Sequence, residues 1–97
     1  MINDAFINRT TDGVSTGYEL ASDSCVVFIH GDSVMGGAEV HVEAATANTA
    51  AEFVPLSYEG VITGPTAKTI TLKAGMFVRV RVAKASASTS VTVDVVT

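Results

Sequence analysis

Three residues on one short segment carry the densest chemistry in this chain: Glu39, His41 and Glu43, alternating with Val40 and Val42. Imidazole flanked by carboxylates suits zinc or manganese. A second segment, Met76 to Val82, alternates in the same way and carries Arg79 and Arg81. A period of two puts the charged residues of each segment on one face and the small or branched apolar residues on the other. Ligands two apart on a strand lie about 6.5–7 Å apart at the backbone, so three from one strand converge poorly on a single ion. The preferred reading is a solvated outer face in which the acids pair with Arg79 and Arg81. The metal alternative would recruit His30 from a neighbouring strand.

Other chemistry is weakly supported. No Gly-x-Ser-x-Gly elbow is present, and the two histidines stand on separate strands without an acid partner in sequence. Gly36-Gly37 lacks the lysine and helix of a phosphate-cradling loop. Asp23 and Asp32 offer oxygen ligands for calcium, but no Asp-x-Asp-x-Asp loop surrounds them, so turn formation is the default. Tyr18, Phe53 and Tyr58 are candidates for a sugar-stacking platform. With no tryptophan and 6% aromatic residues, core packing is favoured for them. No cofactor is expected, and the reading is not that of an enzyme.

The elements that must position these residues are strands. Ala, Val, Thr and Ser dominate, and no stretch of useful length has a helical period. Residues 43–52 read as a loop after a strand, with one helical turn at most. Cys25 to His30 carries apolar residues on both faces, Cys25, Val27 and Ile29 on one and Val26 and Phe28 on the other. Such a strand is either covered on both sides or meets another molecule with its outer face. Glu52 to Leu56 reads as a short edge strand, because Pro55 cannot donate to a ladder. Lys68 to Lys73 alternates with Ile70 and Leu72 inward, Ala74-Gly75 turns the chain, and Val91, Val93 and Val95 share one face of a last strand. The fold class is therefore all-β: a single small antiparallel β-sandwich, Ig-like or jelly-roll-like, of about 6–8 strands. Residues 17–97 form this domain, and residues 1–16 form an N-terminal arm or a first edge strand.

Composition narrows the function. Ninety-seven residues make one domain. The chain is 47% hydrophobic and 16% charged, where about 25% charged is usual, so part of the surface is expected to be covered by a partner. A net charge of -4 argues against nucleic acid. The longest apolar run spans five residues, far short of a membrane span. The first residues lack the basic and apolar regions of a signal peptide, which predicts synthesis in the cytoplasm. The single cysteine, Cys25, reads as a buried small hydrophobe.

The ordered features also carry a resemblance. Asp23-Ser24 precedes a strand, Gly36-Gly37-Ala38 opens the strand Val40-His41-Val42-Glu43, and Phe53-Val54-Pro55-Leu56 follows. Thr69-Ile70-Thr71-Leu72 comes next, then Ala74-Gly75-Met76-Phe77-Val78-Arg79-Val80-Arg81-Val82 and Ser90-Val91-Thr92-Val93. This run, from Asp23 to Val95, resembles the small β-sandwich structural proteins of tailed bacteriophages: capsid decoration (cement) proteins, head fibres and related virion components. The resemblance implies a virion protein with no catalytic residues to carry over, one that works by binding the major capsid protein or another virion protein as a homo-oligomer. The expected contacts are the arm, with Phe6, Asn8 and Arg9, the loop Gly31 to Gly37, with Asp32 and Met35, and the face of Arg79 and Arg81. The arm is expected to be dispensable for folding. Alternatives are a tail, baseplate or fibre module, or a small carbohydrate-binding or adhesion domain.

Overall fold

The computed structural model describes residues 1–56 and 61–97, and Tyr58 lies outside the described residues. Ten strands follow one another: β1 Ile2–Arg9, β2 Gly13–Val14, β3 Tyr18–Glu19, β4 Ser24–Ile29, β5 Glu39–Ala45, β6 Val54–Pro55, β7 Val61–Ile62, β8 Thr66–Thr71, β9 Phe77–Ala83 and β10 Val91–Val96. Six are long and four span only two residues. One 3-10 turn, Ala50–Glu52, interrupts the β5–β6 connection, where the sequence allows a single helical turn.

The strands build two antiparallel sheets packed as a sandwich. Sheet A has the order β1-β10-β4-β8. In sheet B, β9 and β5 lie side by side, with β2 and β3 along the free edge of β9 and β6 and β7 along that of β5. The connections β1–β2, β3–β4, β4–β5, β7–β8, β8–β9 and β9–β10 each cross between the sheets. Period-two alternation then does the packing. Val91, Val93 and Val95 of β10, Val27 and Ile29 of β4, and Ile70 of β8 turn inward from sheet A. Val40 and Val42 of β5 and Val78, Val80 and Val82 of β9 meet them from sheet B, all essentially inaccessible to water. Branched side chains fit this pleated interior. Leu72 packs against the core from the rim, and Gly75 takes a φ of +88°, which lets the β8–β9 turn close without a Cβ penalty.

Of the two readings of the N-terminal segment, arm or first edge strand, the structure shows the second. Residues 2–9 are not an extended arm but an edge strand, hydrogen-bonded along β10 from Ile2↔Val96 to Arg9↔Val91. Phe6, expected at a partner surface, is instead buried in the core at 7% exposure. The register shifts twice, between Asp4 and Phe6 and between Phe6 and Arg9. The first shift is what aims Phe6 inward. Removing this segment would open the core, so the strand is part of the fold.

Candidate functional site

The outer face of sheet B is built by the two segments that the sequence singles out. Strands β5 and β9 pair in one unbroken register, with His41 opposite Arg81 and Glu43 opposite Arg79. Nε of Arg79 donates to Oε1 of Glu43 at 2.7 Å, and Nε of Arg81 to Oε2 at 3.3 Å. One carboxylate, 7% exposed, thus holds two guanidinium groups. Beside it, Nε2 of His41 lies 3.2 Å from Oε1 of Glu39, whose Oε2 accepts from Nζ of Lys84 at 3.2 Å. The Lys84 hydrogen bond, and secondly that of His41, hold the Glu39 carboxyl below its ordinary value. The face is ion-paired as the alternation predicts, but only Glu43 meets Arg79 and Arg81, and it is buried rather than solvated, while Glu39 takes Lys84 and His41. Among the described residues no group of three or more His, Cys, Asp or Glu is arranged to hold a metal.

His30 corrects the metal alternative. It directly follows β4 of sheet A, on the other side of the sandwich from β5. Its Nε2 stands 2.7 Å from Oδ2 of Asp94, and its ring meets that of Phe28 edge-on at 5.3 Å. Of the aromatic residues for which the sequence favours core packing over a sugar platform, Tyr18 and Phe53 are described and stand apart in role. Tyr18 packs against the core and its hydroxyl donates to the Asp4 carbonyl at 3.4 Å. Phe53 has the Arg79 guanidinium over its ring at 4.4 Å. Asp23 ties a loop, accepting from the Ala74 amide through Oδ1 at 2.9 Å.

The remaining expected contact residues scatter. Asn8 is exposed on a bulge of β1, with a φ of +49° and its amide donating to Oγ1 of Thr92 at 3.0 Å. Arg9 folds back onto its own loop, donating to the carbonyls of Thr11 and Asp12, with its guanidinium 5.4 Å from the Phe6 ring. Asp32 is exposed in a turn. Met35 is half-buried against the core, while its neighbour Val34 is 52% exposed. Arg79 and Arg81 are tied to Glu43, Arg79 the more buried of the two.

Two further surfaces emerge, the first foreshadowed by the apolar outer residues Val26 and Phe28 and the second not announced by the sequence. The first is the outer face of sheet A, where register places Ile2, Val96, Val26 and Thr69 side by side across all four strands. Asp4, Asp94, Phe28 and Ala67 form the next row. Ile2 is 69% exposed and Phe28 40%. The second is a cleft of about 310 Å³ on sheet B, between the β2–β3 segment and the β5–β6 connection. Val14, Thr16, Gly17, Asn48, Phe53 and Arg79 line it. Gly17 is what lets these segments approach: a Cβ there would lie 2.3 Å from Oδ1 of Asn48 and 2.8 Å from Cζ of Phe53.

Comparison with known protein families, with curated proteins and with solved structures finds no match.

Proposed function

We propose that the protein is a non-enzymatic structural protein of a virus particle, a decoration (cement) protein that lays the outer face of sheet A on the major capsid protein. The observation that carries the docking surface is the apolar row Ile2, Val96 and Val26 with Phe28 beside it. Strand β4 is central in its sheet. Cys25, Val27 and Ile29 serve the core, whereas Val26 and Phe28 have no such duty. The charges of this face, Asp4 and Asp94 with His30, stand in and beside the next row, and none interrupts the row of Ile2, Val96 and Val26. The class of partner comes from the resemblance of residues 23–95 to virion proteins.

The sheet edges favour a face over strand addition. Strand β1 carries two register shifts. Strand β8 places Lys68 opposite Val27, whose side chain points inward, and an inward charge discourages pairing of an edge. The edges of sheet B are two-residue pieces, one of them containing Pro55. Symmetric copies on a shell multiply one modest contact, and binding to the assembled state stabilises it by mass action. The loop holding Asp32, Val34 and Met35 belongs at the rim of the contact, and contact between neighbouring copies belongs to the same reading.

The test is the number of copies per purified particle of the source virus, measured by mass spectrometry against the major capsid protein. A ratio near one, or a simple fraction of it, is expected. A few copies would move the protein to a tail, baseplate or fibre, and none would overturn the virion reading. Phe28→Asp should lower occupancy while the isolated domain stays folded.

A further inference from the structure

We propose that the cleft on sheet B binds a small sugar bearing a carboxylate, of the uronic acid class. It lies on the face opposite the docking surface of sheet A, so it stays open to solvent when that surface is covered.

The charge comes from Glu43 and its two arginines. One buried carboxylate neutralises one guanidinium, and the trio keeps a net positive charge in a chain whose net charge is -4. Glu43 engages Arg79 through Nε. The Nη groups of Arg79 make no hydrogen bond to protein among the described residues, and Arg79 lines the cleft. Its guanidinium carbon lies over the Phe53 ring, 4.4 Å from the centroid, and Glu43 anchors it at Nε, which limits the freedom lost when an anion binds. A guanidinium anchored at Nε and over a ring, with its Nη groups unengaged, can offer them to a carboxylate fork.

The rest of the lining suits a compact polar ring. Thr16 and Asn48 offer a hydroxyl and an amide, and both are exposed. Val14, Ala50 and Phe53 offer apolar surface to C–H groups. Small-ligand pockets begin at about 300 Å³, and the cleft, at about 310 Å³, has room for one ring rather than an extended chain. Glu52, next to Phe53 in the chain, does not line it.

The experiment is a titration of the ¹⁵N-labelled protein with D-glucuronate, followed by amide shifts, with D-glucose and inorganic phosphate as parallel arms. Glucuronate should move Gly17, Asn48 and Arg79 saturably, at least tenfold more tightly than either other probe. No localised shift at tens of millimolar glucuronate would overturn the proposal. Equal binding of glucose would remove the role of the carboxylate, equal binding of phosphate that of the ring, and either result overturns it. Asn48→Ala changes an exposed loop residue and should keep the fold while weakening glucuronate about tenfold; unaltered binding would count against the site. Gly17→Ala, which puts a methyl against Asn48 and Phe53, should abolish binding with amide dispersion retained. Phe28→Asp should leave glucuronate binding intact, so failure of capsid docking and failure of this site are read separately.

Discussion

Asp4 and Asp94 stand opposite one another as register partners across the β1–β10 pair, and His30 holds Asp94 from the β4 side. Like charges directly opposite oppose strand pairing, and cross-strand pairs of this kind are worth roughly 0.2–1 kcal/mol. Asp94 has the imidazole as partner; Asp4 is the exposed member. Asp4→Asn should therefore raise stability by a few tenths of a kcal/mol, up to about 1 kcal/mol. Chemical denaturation at low and high salt checks this. The gain should shrink at about 1 M salt, where the Debye length falls to about 3 Å.

Phe6 decides whether the N-terminal strand belongs to the fold. It is the one residue of β1 that is fully inside. Truncating a buried Phe costs about 3–5 kcal/mol, and a position on an edge strand belongs at the low end of that range. Phe6→Ala should lower the denaturation midpoint accordingly. Deletion of residues 1–9 should go further, giving loss of amide dispersion rather than a folded domain without an arm.

Much of sheet B is legible in the sequence because alternation fixes which face a residue takes. The shared face of Glu39, His41 and Glu43, and that of Arg79 and Arg81, can be read without coordinates, and so can the inward valines of β9 and β10. Alternation does not fix which strands are neighbours, so nothing in the chain says that His30 lies across the sandwich from His41. The inward turn of Phe6 in β1 is hidden for another reason. Ile2 and Phe6 are four residues apart and would share a face in a regular strand, but the register shift after Asp4 leaves Ile2 outside and sends Phe6 in. The cleft is less legible still, since Gly17, Asn48, Phe53 and Arg79 meet only through the β5–β9 and β2–β9 pairings. The close approach at Gly17 leaves no local pattern.

Glu43 should matter more for stability than any other charge on sheet B. It is the shared acceptor for two guanidinium groups and is almost wholly shielded from water. Hydrogen bonds to charged groups contribute about 1.5–3 kcal/mol. Glu43→Gln keeps the shape and removes the charge, so it should cost about that much in denaturation experiments. Arg81 is the more exposed partner, with a side chain 37% accessible, and a surface ion pair is worth about 1 kcal/mol or less. Arg81→Gln should therefore cost clearly less than Glu43→Gln. Equal losses would mean that the two arginines are not held by a common acceptor.

Cys25 should be chemically silent in the folded protein. It faces the core from β4 at 3% exposure, and burial pushes its thiol up to about 11. The thiolate is the reactive form, so at pH 8 both access and ionisation oppose attack. A thiol reagent such as Ellman's should give no label under native conditions and one equivalent in denaturant. The raised value also has a sign in the pH dependence of stability. The native state keeps its proton to higher pH than the unfolded chain, whose thiol titrates near 9.0. Unfolding therefore releases a proton between about pH 9 and 11, and stability should fall as pH rises through that window. Cys25→Ala removes the ionisable group, so the alkaline slope of its stability should be shallower than that of the wild type, whatever the cost of the cavity at neutral pH.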